Sequence, residues 1–221
     1  MIFTRVFFIT LFVGFTAAAS AGAEMPGKKR VAFTIDDGPI PEQMPEFLAL
    51  FAKEGIHVSF AHVGEKVAAH PKVTASAAAA GHEIVNHSRT HAHFKQLDEK
   101  GIIFEVTETD RAIAAATGEP TRWFWPPYLE MDDRIAATVQ KAGQKPYPRE
   151  RFHFLSSEDW NLETDADTIR RRATNDVRDL TVILFHEWRP ETLSQMPGII
   201  AELKRQGCEF LTFSELESAA N

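Results

Sequence analysis

The run Val31-Ala32-Phe33-Thr34-Ile35 is apolar and rich in β-branched residues, and it stops at Asp36-Asp37-Gly38-Pro39, which holds strong turn formers. This reads as a buried strand ending in a loop. The pattern repeats in kind along the chain. Phe47, Leu48, Leu50 and Phe51 recur at helical spacing before Gly55, a suitable C-terminal cap, and a second apolar run, Val58 to Val63, ends at Gly64. The Ala-rich stretch from Val73 to Ala80 predicts a helix, Glu83 to Val85 a short strand, and Glu99 to Ala116 a long helix closed by Gly118. Further strands are expected at Trp123 to Trp125, near Phe154, at Thr181 to Phe185 and at Cys208 to Phe213. Helices are expected near Asp133 to Ala142, Asp165 to Val177 and Met196 to Gln206. Short apolar runs alternating with helices of roughly 10 to 15 residues mark a parallel α/β architecture.

Composition narrows the class. The chain has 221 residues, 44% hydrophobic and 25% charged, which is ample for a core and excludes a disordered or collagen-like chain. A net charge of −7 argues against a nucleic-acid partner. The lone Cys208 excludes an internal disulfide and a zinc site built from several cysteines. At the N-terminus Arg5 precedes the apolar run Val6 to Phe15 and small residues ending in Ala21-Gly22-Ala23. This reads as a secretory signal peptide over residues 1–23, cleaved after Ala23, with Ala19 and Ala21 as other sites. The run is shorter than the roughly 20 residues that span a bilayer, so no stable membrane insertion is expected after cleavage; an uncleaved anchor is the alternative. No composition break follows, so one domain is expected over residues 25–221.

In a parallel β/α barrel, chemistry collects at the carboxyl ends of the strands. Four polar clusters fall at such ends: Asp36-Asp37, His87 to His91, Pro126 to Tyr128, and His186. His87 and His91 are four residues apart and can share a metal if the segment is helical or tightly turned, though surface or capping histidines share that spacing. Two His plus a carboxylate make a catalytic coordination set, and Asp36 and Asp37 both offer the carboxylate. Adjacent aspartates on a regular strand face opposite ways, so joint use needs a bend there, for which Gly38-Pro39 is suited. An acidic turn or a helix N-cap is the simpler alternative. His186 after the buried run Val182 to Phe185 is equally readable as a hydrogen-bonded residue at the core edge. Asp159-Trp160 is equally readable as a turn with a core aromatic.

The order and combination of these pieces decide between the readings. Thr34-Ile35-Asp36-Asp37-Gly38-Pro39, Asn86-His87-Ser88-Arg89-Thr90-His91, Pro126-Pro127-Tyr128, Asp159-Trp160 and Leu184-Phe185-His186 together resemble the polysaccharide deacetylases, the NodB-homology proteins of carbohydrate esterase family 4. The resemblance runs from about Arg30 to Phe213. It implies a distorted (β/α) barrel with fewer than eight strands and a divalent metal, usually zinc, held by Asp37, His87 and His91. It further implies Asp36 as general base, His186 as general acid and Asp159 as the carboxylate paired with that histidine. The Tyr128 backbone N–H would help bind the oxyanion, and Trp160 would form an aromatic wall.

Two positions depart from the family pattern. The residue three before Tyr128 is usually an arginine paired with the base, and here it is Trp125; Arg89 or another cation is expected to compensate, Arg122 being poorly placed. Ser156 stands where the fourth motif usually opens with aspartate. The implied activity is a secreted metal-dependent hydrolase removing N-acetyl groups from N-acetylglucosamine glycans such as peptidoglycan or chitin fragments. O-acetyl esters and small non-sugar amides are alternative substrates, since Trp123 and Trp125 either reshape the pocket or belong to the core. A non-catalytic glycan-binding relative is the alternative of another class. The sequence leaves the oligomeric state open.

Overall fold

The computed structural model describes residues 28–221, so the signal-peptide reading lies outside the described residues. The strand opened by the diagnostic run, β1 (Lys29–Gly38), lies at the centre of the sheet, and its alternate residues feed two cores. Val31, Phe33 and Ile35 face the helices, packing with Met44, Phe47 and Phe51 of α1 (Met44–Glu54) and with Met196, Ile199, Ile200 and Leu203 of a later helix. Ala32 belongs to a second core that includes Ala61, Val85, Trp123, Trp125, Val182 and Leu184. A strand buried on both faces reads as a continuous apolar run, which is why this stretch stood out.

The remaining elements wind around β1. They are β2 (Ser59–His62), α2 (Gly64–Ala69), α3 (Pro71–Ala79), β3 (Glu83–Asn86), α4 (Glu99–Thr117), β4 (Trp123–Phe124), α5 (Asp133–Lys141), β5 (Lys145–Pro146), β6 (His153–Ser156), α6 (Ala166–Thr174), β7 (Thr181–His186), α7 (Pro190–Arg205), β8 (Cys208–Leu211) and α8 (Phe213–Ala219). Seven parallel strands run in the order β5-β4-β3-β2-β1-β7-β6, and the short β8 pairs the first half of β1 from outside that run. The result is a curled, distorted barrel whose two edge strands, β5 and β6, do not pair. Between them Tyr147 and Phe152 join Phe213 and Leu216 of α8 in the inner core. Among the described residues no helix is long and apolar enough to cross a membrane.

Several helix starts are fixed by side chains at the loop that precedes them. Asp98, Asp132 and Asp165 each accept a backbone N–H three residues on, and Thr212 with Glu215 forms a capping box for α8. Each such cap is worth about 1 kcal/mol. After β7, the structure moves two expected boundaries by two residues or more. Helix α7 starts at Pro190, six residues before the expected Met196, and carries Pro197 inside it. A proline in mid-pattern reads as a helix start, and only packing keeps this helix intact through it. The expected strand at Cys208 to Phe213 ends at Leu211, because Thr212 caps α8. Helix α2 and strand β5 were not foreseen.

Glu187, fully buried after β7, braces the end of β1 from behind. Its Oε1 accepts the Ile40 N–H at 2.6 Å, and its Oε2 lies 3.7 Å from Nε2 of the equally buried His62, whose Nδ1 is 3.1 Å from the Thr74 hydroxyl. Gly38 leaves room for this brace: a Cβ there would lie 1.9 Å from Glu187 Oε2 and 2.8 Å from His62 Cδ2. Gly38→Ala is therefore expected to destabilise the fold by about 1–3 kcal/mol, the usual cost of overpacking, read as a lower urea midpoint at unchanged slope.

Candidate active site

The parallel register brings the chemistry to one end. Asp36 pairs with His186 across β1 and β7, His62 pairs with Asn86 across β2 and β3, and Trp125 N–H donates to the Asn86 carbonyl. All these positions lie at the carboxyl ends of strands, where the following loops converge. They border a cavity of about 400 Å³ lined by Asp36, Asp37, His87, His91, Tyr128, Ser156, Trp160, Leu184 and His186, with Pro126 and Leu129 at its side.

The two aspartates share the cavity because β1 bulges between Asp36 and Gly38. Asp37 takes φ 67°, so the bend lies at the aspartate itself. Ser88 (φ 62°), His91 (φ 59°) and Tyr128 (φ 54°) also occupy the left-handed region, so strained backbone is concentrated in the motif loops. The His87–His91 segment is a bent loop, neither helix nor strand. It is tied down by Gly64 and Glu65 N–H groups donating to Ser88 and Arg89 carbonyls, and by Thr90 donating to Glu105 through both its N–H and its hydroxyl.

Asp37 Oδ1, His87 Nε2 and His91 Nε2 converge. The imidazole nitrogens lie 3.4 and 3.1 Å from Oδ1, and all three atoms fall within 4.8 Å of one another. Asp37 Oδ1 is buried and has no hydrogen-bond partner. His87 Nδ1–H donates to the Trp125 carbonyl at 2.8 Å, which fixes the ring and leaves Nε2 free to coordinate. One carboxylate oxygen and two imidazole nitrogens aimed at a common point fit a divalent ion such as zinc. Burial alone would raise the Asp37 carboxyl, but its contacts with His87 and His91 and the charges of His87 and His186 outweigh burial and hold it well below the ordinary range.

Asp36 is buried beneath this cluster. Burial pushes its carboxyl up to about 7, against the opposing charges of His87 and His186 and with a smaller upward push from Asp37. Its Oδ2 accepts the Trp125 indole N–H at 2.6 Å. The expected compensating cation is not there. Arg89 pairs with Glu65 at 3.3 Å and lies over the Phe104 ring, Arg122 approaches Glu217 at 3.5 Å, and among the described residues no Arg or Lys pairs with Asp36. A neutral indole donor takes the place of a guanidinium. Trp123 and Trp125 both lie in the inner core, so neither opens into the cavity.

His186 reaches the cavity from the opposite wall. Its Nδ1 lies 2.7 Å from Asp159 Oδ1, while Asp159 Oδ2 accepts the His186 backbone N–H at 2.7 Å and the Thr192 hydroxyl at 2.5 Å. Burial would lower the His186 pKa, but hydrogen bonding to Asp159 and the charges of Asp159, Asp36 and Asp37 outweigh it and raise it. Trp160 is 55% exposed at the rim, so it is no core aromatic. Tyr128 is equally exposed; its ring packs edge-on to His91 and stacks on His93 at 3.8 Å.

Four residues escaped the sequence reading. Trp188 donates its indole N–H to Asp37 Oδ2 at 2.9 Å, and Lys66 Nζ donates to the Asp37 carbonyl at 2.6 Å. Thr192 and His93 hold Asp159 and Tyr128 as described. Only Trp188 carried a usable signal, standing two residues past a strand-end histidine on the catalytic side of the barrel.

Comparison with known proteins places this geometry. Residues 23–147 match the family described as polysaccharide deacetylase. A bifunctional xylanase/deacetylase from Pseudobutyrivibrio xylanivorans is 26% identical over 200 residues, covering 89% of this chain and 32% of that protein. The chain thus spans about a third of that relative's length. A peptidoglycan-N-acetylglucosamine deacetylase from Bacillus cereus is 26% identical over 198 residues, covering 87% of this chain and 91% of its own. A solved family 4 pseudoenzyme from Bacillus anthracis superposes with TM-score 0.78 at 26% identity, over 87% of this chain and 66% of that one. By matched sequence and by fold, the chain belongs to the polysaccharide deacetylase (NodB-homology) family, carbohydrate esterase family 4.

Proposed function

We propose that this protein is an exported, metal-dependent deacetylase that hydrolyses N-acetyl groups on N-acetylglucosamine glycans, with residues 25–221 as one catalytic unit. The observation that carries the reading is the facing arrangement in one cavity of a convergent Asp37, His87 and His91 set, a buried carboxylate at Asp36, and His186 braced by Asp159. The likeness to a peptidoglycan deacetylase supports the sugar. The leader over residues 1–23 supports export to the periplasm or the extracellular space.

Asp37, His87 and His91 would hold the ion. Zn²⁺ held there would supply a water of pKa about 7 and polarisation of the acetyl carbonyl. Asp36, its carboxylate held by the Trp125 indole, takes the proton of the attacking water. The Tyr128 backbone N–H is assigned to the developing oxyanion. An amine leaves poorly as an anion, so His186 delivers a proton to the nitrogen; Asp159 keeps its imidazole cationic and turned toward the cavity. Trp160 and Tyr128 give the exposed aromatic surface on which a pyranose ring can stack.

The test is acetate release from N-acetylglucosamine oligomers by the purified protein, zinc-loaded and after chelation. Zinc-dependent acetate release is expected. Tight zinc binding with no acetate from any N-acetylated glycan, beside release from acetylated xylan, would reassign the substrate to O-acetyl esters. No release from either would favour a binding role.

A further inference from the structure

Asp36 and Asp37 are consecutive, and each is held by one indole. In both, Oδ2 accepts a single indole N–H, from Trp125 at 2.6 Å for Asp36 and from Trp188 at 2.9 Å for Asp37. In both, Oδ1 is buried and left without a hydrogen-bond partner. The two tryptophans come from opposite sides, one just after β4 and the other just after β7. An indole can only donate, and it has one N–H, so each ring engages one carboxylate oxygen and leaves the other.

This matters because the terminal torsion of an aspartate is broad and roughly two-fold. Nothing in the side chain itself decides which oxygen faces a ligand, or whether both do. An indole on Oδ2 sets that torsion. For Asp37 the backbone is fixed as well, since Lys66 Nζ holds the carbonyl and the residue sits at φ 67°. Trp188 is half-buried, hydrogen-bonded to Asp37 and with its ring centroid 5.9 Å from that of His186, so it adjoins both the convergent metal set and the acid-side histidine.

We infer that Trp188 is a positioning residue for the Asp37 ligand, turning Oδ1 of that aspartate toward His87 and His91, as Trp125 fixes the carboxylate of Asp36. Trp188 sets how tightly the ion is held, and Trp125 sets how the base meets water. The inference rests on the assignment above of Asp37 as ligand and Asp36 as base. It goes further in dividing the two consequences between two residues that touch neither ion nor substrate.

The experiment is zinc affinity by competition with a chromophoric chelator, alongside kcat and KM, for wild type, Trp188→Phe, Trp188→Gln and Trp125→Phe. Loss of an outer-shell donor typically costs about 10–100-fold in metal affinity, and that loss is expected for Trp188→Phe. Trp188→Gln, which restores an N–H donor, is expected to recover part of it. Trp125→Phe is expected to keep wild-type zinc affinity and to lower kcat. Trp188→Phe with zinc affinity within twofold of wild type overturns the inference and leaves the proposed function standing. A wild-type protein that binds no zinc overturns both. A measurement on unaltered protein covers the case in which Trp188→Phe does not fold. In the zinc-loaded wild type the Trp188 indole N–H should exchange with solvent far more slowly than that of exposed Trp160, and equal rates overturn the inference.

Discussion

Asp36→Asn is expected to lower acetate release by about 10²–10⁴-fold while zinc remains bound, the range over which a positioned general base contributes. The substitution keeps the shape of the side chain, and an amide oxygen can still accept the Trp125 indole N–H that now holds Oδ2. What it removes is the ability to take a proton. Burial raises this carboxyl to about 7, so it is poised near the pH at which it must work. A cation bound at the adjacent Asp37 favours the ionised form and pulls the value down, so the acid limb of the wild-type rate profile should lie at or below about 7. Metal content by atomic spectroscopy and kcat at saturating oligomer check the two halves. A variant within threefold of wild type would remove Asp36 from the base role.

Asp159→Asn should fall in the same range of loss and should also shift the opposite limb. The carboxylate accepts three hydrogen bonds in a site with no solvent exposure: the His186 imidazole, the His186 backbone and the Thr192 hydroxyl. An amide at this position has one acceptor where the carboxylate has two, so its NH₂ must face a group that is itself a donor. Turned toward His186, that NH₂ forces Nδ1 to become an acceptor, so the ring is held neutral with its proton on Nε2, a far weaker acid than the imidazolium that the leaving amine needs. The sign of the pH effect follows from charge. Asp159 raises the His186 pKa, so removing its charge lowers it, and the protonated acid disappears at a lower pH. The alkaline limb of kcat should therefore move down. An unmoved limb would mean that another group supplies the proton.

The parts of this fold that were readable are those where pattern and packing agree. β1 and β7 are buried on both faces, so they read as apolar runs, and α4 announces itself by length and by the glycine after it. The parts that were not readable are short or locally contradictory. β5 has two residues and no apolar signature, α2 six, and Pro197 hides the first half of α7. At the site, motif order identifies the side chains that meet in the cavity, because each lies where a strand gives way to a loop. The bulge at Asp37 was only half foreseen: a bend was required, but Gly38-Pro39 looked like its place and the left-handed residue is the aspartate. The role of Trp125 was misjudged for a physical reason. Searching for a replacement cation assumes that the base needs charge, whereas this site supplies an aligned neutral donor in a buried setting, where one hydrogen bond is strong.

The pairing of β1 also governs when the barrel can come together. Its neighbours on one side are β2 and β8, and on the other β7, so Thr34 meets Ser59 early in the chain while Val31 meets Thr181 and Lys29 meets Cys208. The first of the described strands in chain order is thus the last to be completed. Until β7 arrives, the apolar run of β1 has an open edge, and until α8 follows, Phe213 is missing from the inner core against which Trp123 and Trp125 pack. Contacts this distant in sequence make for slow folding and a long exposure of strand edge. That delay keeps the polypeptide unfolded and threadable until β7, β8 and α8 have been made.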